Sequence, residues 1–233
     1  EYGQERKRKT KVQEFDDVDK KGISIKNQKL YVNKKDGFVG TSMKKDNYLF
    51  DCSDLDDIIV FTNEGLMKVV RADSKVFIGK NIEKVMLFND DSKKLIYNLI
   101  YRDGKSGTSY VKRFKISGLI RDKEYYLTRG KQGSKLHYFK YHKEGDPADK
   151  VICKLSDNKA TKNLRIKEFK LDFEDYGIKG RDSKGNIVSK HAVAKVSYKE
   201  KSTISLNSVD DINKIEVKDE KELPNNEPQT KLF

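Results

Sequence analysis

Short runs of Val, Ile, Leu, Tyr and Phe recur along the chain, each closed by a turn and answered by a second run. Leu30-Tyr31-Val32 leads through Asp36-Gly37 to Phe38-Val39. Ile58-Ile59-Val60-Phe61 leads through Asn63-Glu64-Gly65 to Leu66-Met67-Lys68-Val69-Val70. Tyr97 to Arg102 leads through Asp103-Gly104 to Tyr110 to Ile116. Val151 to Leu155 leads through Asp157-Asn158 toward Leu164-Arg165-Ile166, and Tyr176 to Lys179 passes Ser183 to Asn186 to reach Ile187 to Lys190. Gly tolerates the positive φ of tight hairpin turns, and β-branched and aromatic residues fit a pleated surface. The pattern therefore predicts five hairpins.

Further short strands are predicted at Val76-Phe77-Ile78, Val85 to Phe88, Leu136 to Phe139 and Val193 to Val196. Turn-to-turn spacings are about 28, 39, 53 and 28 residues, an uneven repeat of small antiparallel sheets. Ile58 to Phe61 is apolar on consecutive residues, as in strands covered on both faces. The fold class is all-β and propeller-like, with four or five four-stranded blades. Tyr97, Tyr101, Tyr110, Tyr138 and Phe139 lie inside strands and are read as core rather than as base-stacking platforms.

Composition sharpens the boundaries. Residues 1–19 carry Arg6 to Lys11 and then Asp16, Asp17 and Asp19, a charged lead-in without apolar periodicity. Residues 20–205 hold the strands. Residues 206–233 hold seven acidic residues and four Lys, a net of −3, and leave +16 on residues 1–205. This last stretch reads as an acidic, flexible tail. The chain starts with Glu1 rather than Met, which suggests a piece of a longer protein. Two Cys, Cys52 and Cys153, make no disulfide framework and fit a reducing compartment. No apolar run is long enough to span a membrane as a helix.

The chain carries a formal charge of +13 and a pI near 9.4, which points to a polyanionic partner. Enzyme signatures are missing. His137, His142 and His191 show no zinc spacing, and there is no nucleophile elbow or phosphate-binding loop. Asp54 to Asp57 and Asp172 to Asp175 are the two acidic clusters that a Mg²⁺-dependent nuclease would use, although both sit at strand borders where Asp makes turns. The basic residues are placed more tellingly. Lys68, Arg71 and Lys80 follow turns, and Lys112 and Arg113 lie on the return strand after Gly104. Arg129, Lys131 and Lys135 form one Gly-rich basic loop, Lys179, Arg181 and Lys184 a second, with Lys190 beyond it. These twelve are the candidate phosphate contacts.

Lys29 to Val32, Asp36 to Ser42, Ile58 to Phe61, Ile96 to Gly104, Val111 to Phe114 and Ile178 to Arg181 resemble the C-terminal domain of the A subunit of bacterial type IIA topoisomerases. The form is that of DNA gyrase and topoisomerase IV in the Bacteroidetes group, and the resemblance spans most of residues 5–200. It implies a β-pinwheel with hairpins exchanged between neighbouring blades. It implies a rim that binds and bends duplex DNA and presents it to the topoisomerase core of the same chain. The domain itself is then non-catalytic and needs no cofactor. The parent enzyme uses ATP and Mg²⁺ elsewhere, partners a separate ATPase (B) chain, changes DNA topology and is cytoplasmic and nucleoid-associated. A Gln-Arg-Arg-Gly-Gly-Lys-Gly box, which supports full wrapping in gyrases, is not found. That departure favours topoisomerase IV-like behaviour over gyrase-like supercoiling. The alternative is a propeller-like protein-interaction scaffold.

Overall fold

The computed structural model describes residues 26–202 apart from residue 106. The lead-in of residues 1–19 and the tail of residues 206–233 lie outside the described residues. Strands dominate: β1 (Gln28–Asn33), β2 (Phe38–Gly40), β3 (Asn47–Cys52), β4 (Asp57–Thr62), β5 (Leu66–Arg71), β6 (Val76–Phe77), β7 (Ile82–Leu87) and β8 (Ile96–Arg102) come first. They are followed by β9 (Ser109–Lys115), β10 (Glu124–Tyr126), β11 (Lys135–His142), β12 (Asp149–Leu155), β13 (Glu168–Asp172), β14 (Ile178–Gly180), β15 (Asn186–Ser189) and β16 (Val193–Lys201). Among the described residues one short α-helix, α1 (Asp90–Lys93), follows β7 and is capped by Asn89, whose side chain accepts the Ser92 N–H at 2.9 Å.

The described strands form four sheets. Their orders are β3-β1-β2-β6, β10-β5-β4-β7, β11-β8-β9-β14 with β15 also on β9, and β13-β12-β16. One rule generates them. Each unit after the first makes a hairpin, sends its next strand to the previous sheet, and returns a closing strand to its own. Thus β4-β5 is followed by β6, which joins β2, and by β7, which joins β4. Likewise β8-β9 is followed by β10 on β5 and β11 on β8. The β12-β13 pair is followed by β14 and β15 on β9 and by β16 on β12. This exchange of strands between neighbours is the feature expected of a β-pinwheel.

Exchange interleaves the sheets and explains the unbroken apolar runs. Along β4, Ile58 and Val60 face a core shared with Leu30, Val32 and Val39 of the first sheet. Ile59 and Phe61 face the opposite way, into a core with Tyr97, Leu99 and Tyr101 of the third. Along β8 and β9, Ile100 and Val111 pack toward Val151, Cys153 and Phe173 of the fourth. Period-2 side chains on a strand covered on both sides are all buried, each such Ile or Phe contributing about 1.5–3 kcal/mol. Tyr97, Tyr101, Tyr110 and Tyr138 are buried, and Phe139 packs against the same core.

Three of the five expected hairpins form as read: β1-β2, β4-β5 and β8-β9. The fourth forms with its return strand displaced, because Glu168–Asp172 rather than Leu164 to Ile166 pairs with β12. Asn158 and Thr161 delay the return. The Thr161 N–H donates to Asn158 Oδ1 at 3.1 Å, and the Asn158 N–H to Thr161 Oγ1 at 2.9 Å, folding the connection on itself. The fifth does not form. β14 runs parallel to β9 and β15 antiparallel to it, and neither pairs with the other.

Candidate nucleic-acid interface

Hairpin turns and exchange links meet along one edge of the molecule. The turn of β1-β2 receives the link between β6 and β7: the Ile78 N–H donates to the Gly37 carbonyl at 2.9 Å and the Ile82 N–H to the Lys34 carbonyl at 2.8 Å. A Cβ on Gly37, at φ +85°, would lie 2.2 Å from the Gly79 carbonyl oxygen, so this contact requires glycine. The link then bonds to the next turn, Asn63 N–H to Asn81 O at 2.8 Å. The β4-β5 turn receives the link between β10 and β11, through Leu127 N–H to Gly65 O at 2.8 Å and Leu136 N–H to Asn63 O at 2.7 Å. That link also clasps the β8-β9 turn, with Gly104 N–H donating to Ser134 Oγ at 2.9 Å and Arg102 Nη2 to Gly133 O at 3.0 Å. Finally Ser109 Oγ donates to His191 O at 3.3 Å, and the Ser156 N–H donates to Ala192 O at 2.7 Å, which brings in the β12-β13 connection. One hydrogen-bonded seam thus joins all four turn regions.

The seam is basic. Lys80, Arg129, Lys131 and Lys190 are exposed and lie on the three links, and Lys135 is exposed at the start of β11. Lys34 and Lys35 lie in the first turn, Lys105 in the third, and Lys159 and Lys162 in the fourth connection, all exposed. Only Lys131 of these ten makes an ion pair among the described residues, at 3.4 Å to Asp103 Oδ2. The field is felt by His137, the third residue of β11. Burial, then Lys135 and Arg102, push its imidazole down to about 4. An unfolded chain takes up that proton near pH 6.5, whereas the folded one resists it until about 4. Stability is therefore level above pH 6.5 and falls as the pH drops toward 4. Urea titrations at pH 7 and pH 5 are expected to show a loss that His137→Gln reduces by about 1 kcal/mol after solvent screening.

The twelve residues expected to touch phosphate separate into groups. Lys80, Arg129, Lys131, Lys135 and Lys190 are brought together on the seam. Lys68 sits mid-strand opposite Glu124, and Arg71 lies at the far end of the same sheet, paired in register with Asp57. Lys179 donates to Asn186 Oδ1 at 3.0 Å. Arg181 donates to the carbonyls of Ser117 and Gly118 at 2.8 and 2.9 Å and stacks 4.6 Å over Tyr125, while Lys184 Nζ lies 4.5 Å over Tyr110. Lys112 and Arg113 are corrections, since both are 2% exposed and cannot reach a phosphate. Lys112 Nζ donates to the Leu127 carbonyl at 3.0 Å and also to that of Arg181. This holds the Arg181 loop over β9. Burial pushes its amine down to about 8. Arg113 Nη1 is 2.6 Å from Glu174 Oε2.

Lys34, Lys35, Lys105, Lys159 and Lys162 are seam residues that the motif reading missed. Their signal was present, because Lys34-Lys35 and Lys105 flank the Gly37 and Gly104 turns. The acidic clusters serve the fold. Asp56 Oδ2 accepts the Ser53 N–H at 2.9 Å, Asp57 takes both forks of Arg121 at 3.0 and 3.1 Å, and Asp172 accepts the Glu174 N–H at 3.0 Å. Among the described residues no group of three or more His, Cys, Asp or Glu could hold a metal ion, and no helix is long and apolar enough to cross a membrane.

Residues 29–201 match the family model of the topoisomerase C-terminal domain of Bacteroidota. The A-type chain of DNA topoisomerase 4 from Borreliella burgdorferi is 35% identical over 125 residues, which are 53% of this chain and 20% of that protein. The chain thus spans about a fifth of the length of this curated relative. The crystal structure of the C-terminal domain of DNA topoisomerase IV aligns over 76% of this chain and 62% of that one, at 14% identity and a TM-score of 0.41, a likeness too loose to carry an argument.

Proposed function

We propose, since this chain belongs to the Bacteroidota topoisomerase C-terminal domain family, that its seam of turns is a binding track for duplex DNA. The observation that carries the proposal is the row of nine exposed lysines and Arg129, of which only Lys131 makes an ion pair among the described residues, on one hydrogen-bonded edge crossing four sheets. Such a row holds phosphates at successive positions without reading bases. Gly37 and Gly65 on this track sit at positive φ and pack against Gly79 and Thr128, so they hold turn and link together beneath the basic side chains.

The domain itself does no chemistry in this reading. It positions DNA for the strand-passing core of a type IIA topoisomerase, with the separate ATPase chain of that enzyme the further partner. Bending without full wrapping is the expected mode, and topoisomerase IV-like work rather than negative supercoiling. The absent Gln-Arg-Arg-Gly-Gly-Lys-Gly box supports that preference. Binding to relaxed plasmid across a salt series, followed by ligation and topology analysis, tests the proposal. Affinity that falls steeply with salt and leaves linking number unchanged is the expected result. A shift in linking number would overturn the bending-only reading, and absence of binding at low salt would overturn the DNA track and leave a protein scaffold.

A further inference from the structure

One four-residue pattern recurs where each antiparallel exchanged strand meets its link. It reads Phe77-Ile78-Gly79-Lys80 from β6, Tyr126-Leu127-Thr128-Arg129 from β10 and Ile187-Val188-Ser189-Lys190 from β15. The second residue faces inward: Ile78 and Leu127 are buried, and Val188 packs on the core between the third and fourth sheets. The third is small, and the fourth is an exposed cation of the seam. The first is large, apolar and open to solvent, Phe77 at 54%, Tyr126 at 48% and Ile187 at 60%. Strand alternation turns this residue outward but does not require it to be apolar. Among the described residues β6, β10 and β15 each pair with a single strand, and such edges commonly carry charge instead. A lone exposed apolar side chain needs no explanation. Three at one repeated position, each three residues before a seam cation, do.

We propose that Phe77, Tyr126 and Ile187 press into the minor groove of a duplex lying on the track and act as wedges that set its bend. The proposal rests on the DNA-track reading above. Placement supports it. Phe77 pairs with Phe38, the residue after the Gly37 turn, and the two rings are 5.2 Å apart. Tyr126 pairs with Leu66, the residue after the Gly65 turn. A Cβ on Gly130 would lie 3.4 Å from the Tyr126 ring, so this ring rests on the link between Arg129 and Lys131. Ile187 pairs with Tyr110, the second residue of β9. Reach supports it too. Three residues of extended chain span about 10 Å, and the minor groove is about 6 Å wide. The cation at the fourth position therefore meets phosphates bordering the groove that the apolar group enters. A side chain wedged at a base step partly unstacks it and kinks the duplex by about 20–90°. Pyrimidine–purine steps yield most easily and A-tracts resist, so the wedges add a preference among sequences that the cations lack.

The whole chain carrying Phe77→Ser, Tyr126→Ser and Ile187→Ser tests this on two duplexes of about 30 base pairs, one rich in TA steps and one built of A-tracts. Energy transfer between dyes on the duplex ends reads the bend, and 2-aminopurine at the TA steps reads unstacking. The unaltered chain is expected to bend the TA duplex, raise the 2-aminopurine emission and favour that duplex about tenfold. The triple variant should lose the bend, the emission and the preference, while its slope of log affinity against log salt stays the same, because no cation has been removed. A control with Tyr48→Ser and Tyr198→Ser, which removes half-exposed rings from β3 and β16, should behave as the unaltered chain. Bending and preference that survive in the triple variant would overturn the wedges and leave the track standing. Equal losses in the control would overturn them as well. Absence of salt-dependent binding by the unaltered chain would remove the track, and the wedges with it.

Discussion

Arg113→Ala is expected to lower the unfolding free energy by about 3–5 kcal/mol, the largest single-residue effect in this molecule. Arg113 Nη1 lies 2.6 Å from Glu174 Oε2, and the two side chains are 1% and 2% exposed. The other Glu174 oxygen accepts the Ala148 N–H at 2.9 Å. The pair therefore ties β9 of the third sheet to the turn after β13 and to the residue that leads into β12. Removing the guanidinium leaves a carboxylate buried without a counter-charge, and water reaches it only by opening the junction between the third and fourth sheets. Urea unfolding at pH 7 measures the loss, and melting should fall by about 10 °C. Pairing Arg113→Met with Glu174→Leu should restore most of it, because the cost lies in the orphaned charge rather than in the absence of an ion pair. A loss below about 1 kcal/mol from Arg113→Ala would show that solvent reaches Glu174 freely. DNA affinity measured below the melting range should be unaltered by Arg113→Ala, with no change in salt slope. This separates a structural arginine from a phosphate contact.

The same residue marks how far the sequence could be read. The runs at Ile58 and Tyr97 announced strands covered on both faces, and the turns at Gly37, Gly65 and Gly104 placed three hairpins. Taken one step further, that coverage bears on the basic return strand. Tyr110, Lys112 and Phe114 share one face by period 2, and Val111 and Arg113 share the other. If both faces are covered, both cations are buried and need internal partners. Glu174, 61 positions further on, could not be assigned from spacing alone. Strand exchange was equally hidden, because β10 is only Glu124–Tyr126 between charged neighbours and is a strand through its pairing with Leu66 to Lys68. β3 escaped for a related reason, since Asn47 and Tyr48 are exposed and no glycine turn precedes them. The candidate interface was half legible. Gly-rich basic loops marked the links, but only the fold shows that the links and the turns form one edge.

Neutralising that edge should have the largest effect on binding. The variant Lys80→Gln, Lys105→Gln, Arg129→Gln and Lys190→Gln removes four exposed charges, drawn from all three links and one turn. Each lost phosphate contact takes about 0.9 from the slope of log affinity against log salt, so the slope should fall by about four. Curves for the two proteins converge near 1 M salt, where electrostatic attraction is screened. A tenfold drop in salt then separates them by three to four decades, and at 0.1 M the variant should bind about a thousandfold more weakly. The loss should be the same on unrelated duplex sequences, since these contacts go to backbone. Stability should change little, because none of the four side chains makes an ion pair among the described residues. The informative control carries Arg71→Gln and Lys179→Gln, which remove exposed charge away from the seam. A track predicts that this control loses less than about threefold. Equal losses per charge in the two proteins would mean that net charge alone draws DNA to the domain, and the seam would then be a feature of the fold without a path for the duplex.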